Sequence, residues 1–408
     1  MRIINKIFIK DFNFKIIWPI IVPIIALCAF GLVLLRSTSY DSSYIIFYKQ
    51  LVWVIIGTSM FLLIQFIRLR IFNEYAYHLY VLLIAGLLLT NWMPIRGGAQ
   101  RWIILGPLSI QPSEIGKIIL VFTLAKFLSD RKDDKNQLQT VIYSIAASLI
   151  PALLVFKQPD LGTAIIYLAI TFPMLYWVGI RPYYLFIFIA PVLSILTSSY
   201  ISSFYIWMFL LLTILFYSQP KIKDAIIIFS INILCGLVSP IIYNEYLFEH
   251  QRRRLEIMID PFKDPNGAGY QVIQSIISIG SGGLSGKGFN QGTQNHLKYL
   301  PVRDTDFIVS VAGEEFGLIG ISMIILFFGT FLYWVMQYLS KINNDFSSLT
   351  LVGTLTILFV HLVVNMGMTV GLFPVTGLPA PFLSYGGTFM IVCLIMIGII
   401  NNTIRNNI

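Results

Sequence analysis

The chain has 408 residues, 57% hydrophobic and only 12% charged, with a formal net charge of +9. A soluble domain carries about 25% charged residues, so a water-soluble core of this size is excluded, and a mean hydropathy of +0.80 places the chain in a membrane. The positive charge is what basic loops on one membrane face produce, and it does not point to nucleic acid.

Lipid offers no water to open backbone groups, so the apolar runs are expected as helices; a β-barrel would show short alternating strands. Taking about 17–25 residues per crossing, the runs predict about twelve spans. They lie near 16–35, 50–67, 77–93, 113–128, 140–157, 161–180, 183–198, 203–217, 224–243, 307–338, 349–373 and 383–401. The fold class is therefore all-α polytopic membrane protein, with about 10–12 transmembrane helices. The runs 183–198 and 203–217 are short and joined only by SSYIS, so they read as a tight hairpin or one broken span. No cleavage site of small residues follows the first run. Cys28, Cys235 and Cys393 lie inside apolar runs and read as small hydrophobes, with no disulfide or metal spacing. There is no GxxxxGK[ST] motif, no obvious internal repeat of the kind inverted-repeat transporters carry, and no long linker. Residues 1–408 form one membrane domain.

With twelve spans, Arg2, Lys6, Lys10, Lys15, Arg68, Arg70, Arg131, Lys132, Arg181, Lys221, Lys223, Lys341 and Arg405 all fall on one side. The positive-inside rule then puts both termini in the cytoplasm. The one large polar loop, about 244–306, faces outward. Its run Arg252, Arg253, Arg254 breaks the basic-inside trend. Arginine forks suit phosphate geometry, and they equally suit lipid headgroups.

Two aspartates in this loop precede prolines, Asp260-Pro261 and Asp264-Pro265, and Gly267 and Gly269 follow. An aspartate on such a turn serves as a general base or as the cap of a helix starting near Tyr270. The stretch 279–283 with Gly286-Lys287-Gly288 either cradles an anion on backbone N–H groups or is simply flexible. In a second outward loop, Arg96 to Glu114, Trp102 is an interfacial anchor or a stacking platform for a sugar. Glu114 and Lys117 stand one turn apart and pair on one helix face. Ionisable groups in a membrane face a cavity or a partner, and the same holds for Lys126, Asp160, Glu314 and Glu315. His361 and Asn365 suit interhelical hydrogen bonds better than a metal site.

Several of these stretches together resemble a known family. Gln111-Pro112-Ser113-Glu114, Gln158-Pro159-Asp160-Leu161-Gly162-Thr163, DPNGAGYQVIQS from Asp264 to Ser275, and Pro374-Val375-Thr376-Gly377-Leu378-Pro379 with Ser384-Tyr385-Gly386-Gly387 look like the SEDS family (shape, elongation, division and sporulation), which includes RodA and FtsW. The resemblance covers nearly the whole chain. Gly292-Thr293-Gln294, and Thr376 where FtsW-type sequences tend to carry Lys, favour the RodA branch. Family members usually show ten spans, so the surplus between Ile180 and the large loop reads as an inserted peripheral pair.

The resemblance implies a peptidoglycan glycosyltransferase that polymerises lipid II into β-1,4 glycan strands at the outer face of the cytoplasmic membrane, for cell elongation and shape. Its partner would be a class B penicillin-binding protein, a transpeptidase. By motif, Asp264 is the catalytic carboxylate. Trp102, Arg101, Glu114, Lys117, Arg254 and Gln271 are the substrate-binding set. A divalent cation, Mg or Mn, would suit pyrophosphate plus one carboxylate, although no dedicated metal cage is legible. A lipid II flippase, or a scaffold recruiting the transpeptidase, are the readings from other functional classes.

Overall fold

The computed structural model describes residues 15–40, 43–95, 100–105, 108–132, 136–198, 200–241, 243, 245, 257, 260–265, 267, 269–297 and 299–408. The arginine run 252–254, Arg254 included, and Arg2, Lys6, Lys10 and Arg96 lie outside them.

Twelve long helices match the twelve apolar runs. They are α1 (Trp18–Thr38), α2 (Ile45–Gln65), α3 (Leu69–Leu89), α4 (Pro112–Asp130), α5 (Gln137–Lys157), α6 (Leu161–Trp177), α7 (Pro182–Thr197), α8 (Ile201–Ser218) and α9 (Ile222–Ile241). After the large loop, with its helices α10 (Tyr270–Gly282) and α11 (Thr293–His296), come α12 (Ile308–Leu339), α13 (Asp345–Thr369) and α14 (Gly387–Asn407). Among the described residues, nine of these are long and apolar enough to cross a membrane. The other three are explained by composition: α6 and α7 are a few residues shorter, and α4 carries Glu114, Lys117, Lys126 and Asp130. A two-stranded hairpin, β1 (Ile103–Leu105) against β2 (Leu108–Ile110), is antiparallel with Ile103 opposite Ile110, and it leads directly into α4.

The centre of the bundle is α4, α6, α13 and α14. In lipid, helices associate by close packing rather than by a hydrophobic drive, so small residues mark the contacts. Gly116 lets α4 approach α3 and α6: a Cβ there would stand 2.2 Å from the Tyr167 hydroxyl and 2.3 Å from Leu83. Gly57 does the same for α2 against Leu394 of α14. Polar ties reinforce the seam. Gln65 Nε2 donates to the Gly398 carbonyl at 3.0 Å, and Asn401 Nδ2 donates to Gln65 Oε1 at 2.8 Å.

Between α13 and α14 the chain does not form a helix. Residues 371–386 instead make a strap that folds back into the bundle, with Ala380, Leu383 and Ser384 fully buried. Pro374, Pro379 and Pro381 lack N–H groups and prevent a helix here. The strap rests on α1, where a Cβ on Gly31 would reach within 2.6 Å of the Phe382 carbonyl.

The runs at 183–198 and 203–217 are two separate helices, α7 and α8. With α9 they enclose a small core of their own around Ala190, Trp207, Leu211 and Ile228, apart from the main one. Its polar centre is a chain in which Trp207 Nε1 donates to Ser194 Oγ at 2.7 Å and Ser194 Oγ donates to Asn232 Oδ1 at 2.6 Å. Interhelical hydrogen bonds of this kind contribute about 1 kcal/mol in membranes. Asn232→Ala is therefore expected to weaken α7–α9 packing by about 1 kcal/mol, read as a lower thermal midpoint in detergent for a protein that still assembles.

Candidate functional site

Asp260 and Asp264 separate cleanly. The chain makes one 3₁₀ turn at Pro261–Lys263, and Asp260 Oδ1 accepts from Phe262 N at 3.0 Å, so Asp260 is a local cap. Asp264 closes that turn. Its backbone carbonyl accepts from Gly267 N at 3.3 Å and from Gly269 N at 3.1 Å. The next helix, α10, has Gly269, a residue without a side chain, at its N-cap. The Asp264 carboxylate lies over Gly267, where a Cβ would come within 2.3 Å of Oδ2. Gln271 sits one residue into α10, half-buried. The helix is anchored at Ser275, whose hydroxyl donates to the Thr369 carbonyl of α13 at 2.6 Å and lies 2.6 Å from Ser310 Oγ of α12.

Arg101 and Trp102 enter on the segment before β1, both half-buried. Arg101 Nε donates to the Gln158 carbonyl at 2.9 Å, a second guanidinium nitrogen donates to the Pro159 carbonyl, and a third stands 3.8 Å from Asp160 Oδ2. Asp160 in turn caps α6, its Oδ1 accepting from Thr163 N at 3.2 Å. Gln111 Nε2 donates to the other Asp160 oxygen at 3.3 Å. The Gln-Pro-Ser-Glu and Gln-Pro-Asp-Leu-Gly motifs are thus in direct contact.

Glu114 and Lys117 form the expected pair, Nζ to Oε2 2.8 Å, deep in the protein. Lys117 is fully buried, and its Nζ also lies 2.9 Å from His361 Nε2 of α13. One turn along α13, Asn365 Nδ2 donates to the Asp306 carbonyl at 2.9 Å and to the Leu378 carbonyl at 2.7 Å. His361 and Asn365 therefore both reach other segments, as their spacing predicts.

The strap is where these elements meet. Thr376 and Leu378 pack on Gly162, beside Asp160, at distances that leave no room for a Cβ. A Cβ on Gly377 would lie 3.7 Å from Asp306 Oδ2. Tyr385 N donates to the Asp304 carbonyl at 2.8 Å, and Ser384 Oγ donates to the Thr305 carbonyl at 2.5 Å. Asp304 and Asp306, in Val302-Arg303-Asp304-Thr305-Asp306-Phe307, carry no weight in the sequence reading. The signal was a pair of carboxylates spaced by one residue just before a span. Burial pushes the Asp306 carboxyl above its ordinary value, against a hydrogen bond from Thr305; Asp304 moves the same way, opposed by Thr38 and Arg303.

In the glycine-rich stretch the N–H groups of Gly286, Lys287 and Gly288 are bonded to carbonyls. Residues 279–282 belong to α10, and the rest is knitted into a break in α12 at Gly317, where φ is +63°. There Lys287 N and Gly288 N donate to the Glu314 and Glu315 carbonyls at 2.9 and 3.0 Å, while Leu318 N and Ile319 N turn to the Gly283 and Leu284 carbonyls. Intrahelical bonds are exchanged for loop-to-helix bonds. The Glu314 carboxylate completes the join by accepting from Lys287 Nζ at 2.7 Å, Thr293 Oγ1 at 3.0 Å and Gln294 N at 3.0 Å. Glu315 takes hydrogen bonds from Ser37 and Asn295, and Lys126 pairs with Asp130 at 3.0 Å. Among the described residues, no three His, Cys, Asp or Glu side chains gather as a metal site. Two apolar grooves, of about 840 Å³ between α8 and α9 and about 430 Å³ among α1, α2 and α14, are lined by none of these side chains.

A many-spanning helical bundle with a large polar loop, and with buried carboxylates and cations joined around a proline-rich strap, defines a polytopic membrane protein with a built polar site. The family model described as "Cell cycle protein" (FtsW, RodA, SpoVE) matches residues 16–206 and 182–407, and the chain belongs to that family. The two matches overlap over 182–206, which spans α7 and the start of α8. Relatives include the peptidoglycan glycosyltransferase MrdB of Escherichia coli K12, 33% identical over 81% of this chain and 78% of its own. The peptidoglycan glycosyltransferase RodA of Treponema pallidum is 29% identical over 96% of this chain and 97% of its own. A chain from a solved peptidoglycan synthase complex superposes with a TM-score of 0.72 at 28% identity, covering 97% of this chain and 99% of that one.

The raised Asp306 carboxyl has a consequence for stability. The folded state holds this proton more tightly than the unfolded state, so stability falls as pH rises from the ordinary carboxylate value through the raised one. Asp306→Asn removes that penalty. The variant is expected to melt above wild type at pH 7, with the difference shrinking to nothing as pH falls to about 4, measured by thermal unfolding in detergent across pH.

Proposed function

We propose that this chain is a peptidoglycan glycosyltransferase that polymerises lipid II into β-1,4 glycan strands at the outer face of the cytoplasmic membrane. Both termini would be cytoplasmic, and the Asp264 loop would lie outside. Membership of the family and the names of its relatives support the reaction class. The observation that carries the assignment of the base is the position of Asp264: its carboxylate lies over Gly267, on the turn at the mouth of α10.

The acceptor sugar's 4-hydroxyl attacks the donor anomeric carbon while the polyprenyl pyrophosphate leaves. A single displacement inverts the α-linked donor to a β-1,4 product. One carboxylate suffices as base, unlike the paired carboxylates of glycosidases. Asp264 takes the hydroxyl proton. Arg101, already oriented by the Gln158 and Pro159 carbonyls, turns its partly exposed guanidinium toward the leaving pyrophosphate. Arg254 is assigned the same task by its position in the loop. Trp102 stacks against a sugar ring, and Gln271 offers an amide at the mouth of α10. Glu114 and Lys117 form the floor beneath the bound headgroup. Asp264 is the carboxylate that would hold a divalent cation, Mg or Mn, and such an ion would supply counter-charge for the pyrophosphate. The partner would be a class B penicillin-binding protein, whose transpeptidase crosslinks the new strand; the similar chain in a synthase complex supports such an assembly.

The test is polymerisation of lipid II by the purified protein, alone and with its partner transpeptidase. Asp264→Asn is expected to lose at least about a hundred-fold in rate, a typical general-base contribution, with unchanged expression and thermal midpoint. Full activity in Asp264→Asn would remove the base and keep the enzyme. No polymer from folded wild type with its partner present would move the function to a flippase or a scaffold.

A further inference from the structure

His361 is fully buried on α13, and each ring nitrogen faces one partner. Nδ1 lies 3.3 Å from the Pro379 carbonyl, and Nε2 lies 2.9 Å from Lys117 Nζ. A carbonyl only accepts and an ammonium only donates. The ring is therefore neutral, with its proton on Nδ1 donated to Pro379 and its Nε2 accepting from Lys117. Lys117 in turn has two of its three N–H donors placed. One N–H goes to His361 and one to Glu114 at 2.8 Å, and the ammonium stands 5.6 Å from the centre of the Phe389 ring.

One imidazole thus joins three separate segments: α4 through Lys117, α13 itself, and the strap through Pro379. The strap needs such donors. Its prolines cannot supply N–H groups, and its buried carbonyls must be met from outside. Asn365 meets Leu378 one turn away, and the same amide holds the Asp306 carbonyl. On its other flank the strap packs on Gly162, beside the Asp160–Arg101 pair. A shift of the strap at His361 would therefore move both Arg101 and Asp306.

We infer that His361 is a positioning residue: a neutral imidazole that sets the register of the 371–386 strap against the Lys117–Glu114 pair, and with it the spacing of Arg101 and Asp306 around the substrate's charged group. This rests on the reaction proposed above. A role in packing alone needs only the volume of the ring, whereas an apolar side chain of similar size leaves the Pro379 carbonyl and one Lys117 N–H unmet. Positioning requires a donor and an acceptor on one side chain, which glutamine also supplies.

The experiment uses the full-length protein with its partner transpeptidase and measures initial rates of lipid II polymerisation at several substrate concentrations. His361→Leu is expected to lower kcat by about ten- to hundred-fold, the scale of a small misplacement of reacting groups, with KM within about three-fold. His361→Gln is expected to recover activity to within about three-fold of wild type, because it restores both hydrogen bonds. His361→Leu combined with Lys117→Met should be no slower than Lys117→Met alone, because the two residues act as one unit. Should His361→Leu not yield folded protein, His361→Met is compared with His361→Gln instead, the flexible thioether filling the gap. Wild-type kcat in the apolar variant, or equal loss in the Gln and apolar variants, would overturn the inference. No polymer from wild type would overturn the proposed reaction and this inference with it; normal wild-type polymer beside an unaffected apolar variant overturns the inference alone.

Discussion

Backbone carbonyls buried in a proline-rich segment must find donors, and this requirement organises the centre of the protein. Residues 371–386 cannot bond to themselves as a helix would, because three of the residues that matter have no N–H. Inside a helical bundle in lipid, each unmet carbonyl costs several kcal/mol. Donors therefore come from everywhere around it. Asn365 and His361 reach in from α13, and Gln50 reaches in from α2 to the Ser384 carbonyl at 3.1 Å. The strap's own Ser384 and Tyr385 reach out to the segment 304–305. Satisfying one irregular segment thus ties α2, α13 and the segment 304–305 into one register. The same strap presses on Gly162, next to Asp160 and Arg101.

The ionic groups follow from that geometry. A buried ammonium is costly unless paired and hydrogen-bonded. Lys117 meets the condition with Glu114 and a neutral His361, and Glu314 meets it with Lys287, Thr293 and the Gln294 amide. Asp306 is different. It is half-buried, and among the described residues it makes no ion pair. A carboxylate held at a stability cost near a polar site is what functional positions look like. Two kinds of charged group therefore coexist: self-contained clusters that fix helices, and carboxyls at the loop ends whose ionisation burial opposes.

Much of this was legible in the sequence. The apolar runs located every long helix, because lipid allows only one backbone solution. The i, i+3 spacing of Glu114 and Lys117 announced their pair, and the four motifs marked the segments that meet at the centre. What the sequence could not supply were partners distant along the chain. Lys117 and His361 are 244 positions apart, and no periodicity joins them. Asp260 and Asp264 look alike in sequence, each an aspartate before proline; only the turn geometry makes Asp260 the cap of the 3₁₀ turn and sets the Asp264 carboxylate over Gly267. The glycines at 283–288 read either as an anion cradle or as a flexible loop, because nothing near them in sequence supplies partners for their N–H groups. Their partners are carbonyls released by the break at Gly317 some thirty residues later. The short runs at 183–217 were ambiguous for a similar reason: their buried face is defined by α9, which closes the small separate core.

The central claim is that the strap holds the site groups of several helices in one working register. It is tested most directly by hydrogen–deuterium exchange over peptides covering 371–388 in wild type and in Asn365→Leu, with polymerisation measured on the same samples. Loss of the Asn365 amide removes the donor shared by Leu378 and Asp306. Faster exchange across the strap together with lost polymerisation is the result this account predicts. Faster exchange with undiminished polymerisation would contradict it.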